Sequence, residues 1–345
     1  MNNTDDDLTF DDTGNGYDND LQDDHLVEQP DLPATIALLR AGYQDSISAA
    51  LCYGLSGLTR DDIAVIQPIW SDLDVEFRRT LIQRLADLSE TNFDLDYRQI
   101  GLLSLQDDDA EVRENAINLL WDDETPELMA HLIEMAQWDE AAAVRAAAVG
   151  ALGSFILAGE LGNLTPADMD RVQDTAISVY SNEAEDIEVR RRALEAIANS
   201  SHEFVEEAIR EAYQSDDQPM RMSAVFAMGR TCDLRWKDFV LRELRNADPG
   251  MRYEAARASG ELELGEAVPY LIALTRENDR EIKEAAIWSL GEIGGERAMS
   301  ALSSLAQEAE EQGDESLLEA VEDAIGSAAL GNMGVNFEPD ETDDL

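Results

Sequence analysis

The sequence predicts an all-α fold, a solenoid of stacked antiparallel helix pairs, and three observations lead there. First, an Asp recurs every 31 residues, at Asp186, Asp217, Asp248 and Asp279. Each is followed three positions on by an apolar–basic pair: Val189-Arg190, Met220-Arg221, Met251-Arg252 and Ile282-Lys283. An Ala comes three residues after each basic residue, at Ala193, Ala224, Ala255 and Ala286. A period between about 20 and 50 residues marks a repeat array. Second, the 345 residues are 44% apolar and only 6% aromatic, which suits narrow helix stripes better than a sheet core. Third, no alternating β-branched run of useful length is present, so no strand is assigned.

The chemistry of one unit explains its spelling. In Asp248-Pro249-Gly250-Met251-Arg252 the carboxylate can accept from the orphan amides of the helix it opens. Pro249 stands in the first turn, where its missing N–H costs nothing. Apolar residues then return at three- and four-residue steps, as in Ile282, Ala286, Ile287 and Leu290. The small Ala lets neighbouring helices approach, and Gly229, Gly260 and Gly291 close three units at one phase. The first helix of each pair keeps its own register through Ile209, Val240 and Leu271.

In chain order, residues 1–31 carry eleven carboxylates and no Lys or Arg, so they form an acidic tail that cannot offset its ordering entropy and is expected to be disordered. Helical patterning begins at Leu32, with Asp31 as cap and Pro33 in the first turn, and Gly42 ends that helix. A second helix over 46–55 completes a degenerate first pair. The next pair covers 61–70 and 75–88, with Asp74, Phe77 and Arg78 in the repeat pattern. The third ends in Asp109, Val112, Arg113 and Ala116. The fourth has helices over 126–138 and around Val144-Arg145, with Ala141 where the Asp belongs. An insertion at 159–168 delays the next unit, which Thr165-Pro166 opens. Two helices over 299–311 and 316–329 close the array, giving about nine pairs over 32–330. Residues 331–345 form a second acidic tail.

The formal net charge is −50. Nucleic acid and anionic membrane surfaces are therefore excluded as partners, since binding a polyanion needs a basic face. The two cysteines, Cys52 and Cys232, lie in helical patterns and are expected to be buried free thiols. No secretory signal follows Met1, and the nearly apolar run 146–159 is too short to span a bilayer. A soluble, cytoplasmic protein is expected.

The units D-x-x-Φ-R-x-x-A…G resemble the HEAT repeat, in the shorter form named after phycobilisome-lyase subunits, over nearly all of 32–330. The resemblance implies helix pairs whose second helices line the concave side. It also implies a structural ladder of Asp and Arg between units, carried here by Asp186/Arg190, Asp217/Arg221, Asp248/Arg252 and Asp279/Lys283, and earlier by Asp74/Arg78 and Asp109/Arg113. Proteins with such repeats include binding scaffolds, bilin lyases with their chaperone-like relatives, and deoxyhypusine hydroxylase.

Chemistry is sparse in the residues themselves. A di-iron hydroxylase would need repeated His-Glu pairs, but the chain has three histidines, His25, His131 and His202, and one such pair, His202-Glu203. The segment from Asp11 to Gln22 falls short of a calcium loop, lacking the final Glu. No phosphate loop or nucleophile elbow is present. No metal or cofactor is implied. One stretch stands out: 221–257 holds eight basic residues against five acids in a strongly negative chain. Arg230, Arg235, Trp236, Lys237, Arg242 and Arg245 form its core and are the candidate partner-binding residues, because Arg and aromatic side chains dominate binding hot spots. The competing structural reading assigns Arg221 and Arg252 to the ladder and the others to surface ion pairs such as Asp238–Arg242. An acidic partner segment fits the island, and the acidic tail 1–31 is one candidate occupant. The function expected from the sequence is thus a non-enzymatic scaffold that binds a protein partner. The alternative is a lyase-like or chaperone-like subunit acting on a bilin-carrying or other cofactor protein.

Overall fold

The computed structural model describes residues 29–42 and 47–333. The calcium-type segment, His25 and the greater part of both predicted tails lie outside the described residues. Among those described there are eighteen α-helices and no strand. They form nine consecutive helix pairs, as the 31-residue period predicts. Contacts divide the chain after Leu103 into two compact units, which are taken separately.

The first unit holds α1 (Leu32–Ala41), α2 (Ala49–Gly54), α3 (Arg60–Trp70) and α4 (Val75–Thr91), and α5 (Arg98–Ser104) begins in it. Asp31 caps α1 by accepting from the Ala34 amide at 2.9 Å. Thr59 and Asp62 form a capping box at the start of α3. Leu39, Leu55, Ile66, Leu81, Ile82 and Leu85 are fully buried. Thr35 is buried with them, and its hydroxyl donates to the Asp31 carbonyl at 3.0 Å. Cys52 is buried as expected, and burial pushes its thiol up to about 11.

The second unit continues with α6 (Ala110–Leu119), α7 (Pro126–Trp138), α8 (Ala142–Glu160), α9 (Pro166–Ser181), α10 (Ile187–Ile197) and α11 (Phe204–Tyr213). Then come α12 (Gln218–Arg230), α13 (Lys237–Glu243), α14 (Pro249–Glu261), α15 (Val268–Leu274), α16 (Arg280–Ile293), α17 (Gly295–Gln312) and α18 (Glu315–Met333). The second helices pack in sequence, α6 on α8, α8 on α10 and so on to α18, and those from α8 onward also pack on the first helix of their own pair. The stripe residues Val189, Ala193, Ala224, Ala255 and Ala286 are fully buried, as are Ile209, Val240 and Leu271 of the first helices. Each of the Val, Ile and Leu side chains contributes about 1.5–3 kcal/mol when removed from water.

The repeating Asp is a helix cap. Asp186, Asp217, Asp248 and Asp279 each accept from amides in the first turn of the helix they precede, as do Asp74 and Asp109. The cation of the next position turns back to the loop before its own helix. Arg221 donates to the Ser215 and Asp216 carbonyls at 2.7 and 3.0 Å, and Arg252 to those of Asn246 and Ala247 at 2.9 and 3.0 Å. The ladder between units therefore differs from the Asp/Arg pairing that the resemblance implied. Its acids are others, each just ahead of the following helix: Arg113 forks onto Asp139 with both bonds at 2.8 Å, Arg145 onto Glu185 at 2.7 and 3.1 Å, and Arg252 onto Glu277 at 2.7 and 3.0 Å. Arg190 stands 3.9 Å from Glu211. A carboxylate already committed to orphan amides leaves the arginine fork to a second acid.

Three local expectations need correction. Ala141 does cap α8 without a side-chain bond, yet the rung there is intact, because Asp139 accepts both the Ala141 amide at 2.9 Å and the Arg113 fork. Cys232 is exposed, at a positive φ of 51° beyond the end of α12. The apolar run extends to nineteen residues in α8, long and apolar enough by length and composition to cross a membrane, but half of that window is buried within the unit.

Candidate functional site

The basic island is assembled from α12, α13 and the 3-10 turn Leu234–Trp236, and the structure neutralises most of it. Arg230 donates to Asn199 Oδ1 at 3.0 and 3.2 Å and lies 3.4 Å from Glu261. Arg235 is paired with Asp233 and Glu206. Lys237 meets Glu266 at 2.7 Å. Arg242 lies over the Tyr213 and Phe239 rings, at 5.5 and 5.2 Å, and beside Glu243 rather than with Asp238. Arg245 lies 5.3 Å from the Tyr270 centroid. Trp236 is only 1% exposed, edge-on to Phe239, with the Arg210 guanidinium 5.0 Å from its ring. It is a core residue, so it offers no surface to a partner. The sequence-predicted residues do come together, around the turn from α12 into α13 and just beyond it, but as a structural network.

The face formed by the second helices holds a different constellation. Along it, Arg191 Nε donates to Ser223 Oγ at 3.0 Å and Ser223 in turn donates to Glu195 at 2.6 Å, joining α10 to α12. Arg257 of α14 lies 4.3 Å from the Trp288 centroid of α16, close enough for a cation–π contact. Between these, half-buried Glu254 has its carboxyl pushed up to about 7 by burial, with the nearby Glu195 adding to the effect and Arg257 opposing it.

Nearer the start of the unit this face opens into a groove of about 540 Å³ between α6, α8 and α10. Its floor is the outward row of α8, Ala143, Ala147, Gly150, Ala151 and Ser154, whose small side chains leave the space. Trp121, half exposed, stands on the α6 side. Arg192 closes the α10 side, with Nε on Glu188 and Nη1 on Glu195, both at 2.9 Å. Glu114, Asn118 and Asp123 supply the remaining polar rim. Such a groove can take a flat apolar body and hold it by a few polar groups at the edge. Sequence reasoning missed it, because the small row on α8 stands out only against the matching rows of its stacked neighbours. Where α8 has Ala147 and Gly150, the matching positions hold Arg192 and Glu195 in α10 and Glu254 and Arg257 in α14. Among the described residues no cluster of His, Cys, Asp and Glu suits a metal ion.

Residues 237–322 match the family model described as HEAT repeats. HEAT repeats are thus present over these residues. Two bilin biosynthesis proteins named PecE, from Nostoc sp. PCC 7120 and from Mastigocladus laminosus, are each 44% identical to it over 72 residues. That stretch is 21% of this chain and 28% and 27% of those proteins, so the HEAT chain matches less than a third of either relative's length. Among solved structures, the complex of CpcE and CpcF of phycocyanin lyase from Nostoc sp. PCC 7120 shares the fold, with a TM-score of 0.51 and 14% identity over 81% of this chain and 98% of that one. The expectation of a non-enzymatic chain is corrected at this point, because its sequence relatives are named for bilin biosynthesis.

Proposed function

We infer that this HEAT-repeat chain is a lyase-type subunit that handles a bilin together with a bilin-carrying protein. The observation that carries the reading is the 44% identity to two bilin biosynthesis proteins. The second-helix groove is physically suited to the task. A bilin is a flat, conjugated, largely apolar body with carboxylates at its edge. The small-residue floor of α8 gives it a plane to lie on, Trp121 a ring to stack against, and Arg192 a cationic edge. The volume falls within the range of about 300–1,000 Å³ usual for small-molecule sites. The carrier protein is the protein partner, meeting the rim of the same face.

A visible-absorbance titration of a free bilin with the purified chain tests this. The expected result is a saturable shift of the bilin band, weakened at least tenfold by Gly150→Phe, which fills the floor. A spectrum that stays the sum of its separate components contradicts the reading.

A further inference from the structure

Two rungs of the second unit's ladder lack an acid: Arg221, whose guanidinium is held by the Ser215 and Asp216 carbonyls, and Lys283, where a second groove opens. Arg113, Arg145, Arg190 and Arg252 each meet a carboxylate from the next unit. Lys283 occupies the same position in α16, half-buried, and among the described residues it has no ion pair. It lies at the base of a groove of about 760 Å³ between α15 and α17, with Arg276 and Arg297 exposed on the walls. Neither arginine has an ion pair among the described residues. Three unmatched cations thus share one groove in a chain of net charge −50, where nearly every other cation on this unit has found an acid or a ring. Ile272 and Leu305 add apolar wall, and Glu296 and Glu308 are its acids.

We propose that this groove is the docking site for the chain's own acidic segment 334–345, whose carboxylates complete the rung at Lys283. That segment carries Glu338, Asp340, Glu341, Asp343 and Asp344, no cation, and one aromatic, Phe337. Its starting point favours it. A Cβ at Gly294, just before α17, would stand 3.9 Å from Ala328 of α18, so the last turns of α18 pass beside the start of α17, at the Arg297 end of the groove. From there to Gln312 the groove follows fifteen residues of α17, about 22 Å at 1.5 Å per residue. Twelve residues of extended chain reach about 40 Å, enough to turn the end of α18 and run to Lys283. Tethering also raises the local concentration of the acids to the order of millimolar, which matters for exposed ion pairs that are weak singly. The inference is independent of the bilin reading.

The chain has only two lysines, and that makes the test direct. A zero-length carbodiimide cross-linker joins amines to touching carboxylates, and mass spectrometry of the monomer reads the products. Lys237, 2.7 Å from Glu266, reports that the reaction has worked. The expected result is a Lys283 product with a carboxylate of 338–344. It should fall at least fivefold in the double variant Arg276→Gln, Arg297→Gln, whose side chains are exposed and leave the fold intact, and likewise in 1 M salt. A mixture of isotope-labelled and unlabelled chains should give no mixed-mass product. Lys283 joined only to Glu308, Asp314 or residues 1–28, a Lys237 product without any Lys283–tail product, or mixed-mass pairs would each overturn the proposal.

Discussion

Positions 232, 263 and 294 are 31 residues apart, and all three take a left-handed φ, of 51°, 50° and 61°. The third is Gly294; the others are Cys232 and Glu263, which carry a Cβ into a region that costs a non-glycine residue about 1–3 kcal/mol. At Glu263 the Leu264 amide reaches back to the Ser259 carbonyl at 3.0 Å, the Schellman closure of α14. Glu263→Gly should therefore raise the unfolding free energy by about 1 kcal/mol in urea, against the loss usual for added glycine; an unchanged or lower midpoint would refute the strain. Glu254 gives a pH-dependent counterpart. Its carboxyl is raised to about 7 in the fold, so the folded state binds the proton that the unfolded state releases near 4.5. Stability from this group is thus lost as pH rises between those values. Thermal melts should show Glu254→Gln stabilising at pH 8 and nearly neutral at pH 4.5, whereas an equal effect at both would contradict a buried carboxylate. The left-handed turn at 294 was readable in the sequence as a glycine, whereas its counterparts at Cys232 and Glu263 carry no such mark. The environment of Glu254 was not readable, since it depends on which acids of α10 and α14 face it.

At the scale of elements, the glycine that closes the units is explained by the distance between second helices. A Cβ at Gly260 would stand 2.9 Å from the Ser289 Cα, a backbone atom that cannot swing aside, and Gly229 faces Ala258 in the same way. Gly260→Ala should cost about 1–3 kcal/mol, whereas Gly265→Ala, with open space around it, should be near neutral in the same denaturation series. The rung between α6 and α8 is the most buried of the ladder, with Arg113 and Asp139 side chains 9% and 8% exposed. Asp139→Ala leaves a buried guanidinium without its acid, and a loss of about 3–5 kcal/mol is expected; a loss under 1 kcal/mol would show that the rung is dispensable. Helix caps, stripes and prolines were legible because they are local. The ladder acids were not, because Asp139 and Glu277 stand two residues before the repeat's Asp position and Glu185 one, and all lie 25 to 40 residues from their arginines.

For the molecule as a whole, the period led from four units to nine helix pairs, and the boundaries of α7 and the Thr165 cap of α9 fall where the sequence placed them. The functional reading transferred less well. A charge count along 221–257 adds residues that face different neighbours, and it misses acids such as Glu206 and Glu266 that arrive from adjacent units. The unmatched cations lie elsewhere, around Lys283, and the open apolar space lies on α8. Neither stands out in linear sequence, because each is a departure from the repeat visible only once the helices are stacked. The central claim concerns bilin handling, and transfer to a carrier tests it most directly. The chain, a free bilin and a bilin-accepting apoprotein are mixed, and the pigment retained on the acceptor after denaturation is followed by visible absorbance. A rate at least tenfold above that without the chain, returned to background by Gly150→Phe, is predicted. Acceptor coloured at the same rate with and without the chain would contradict the account.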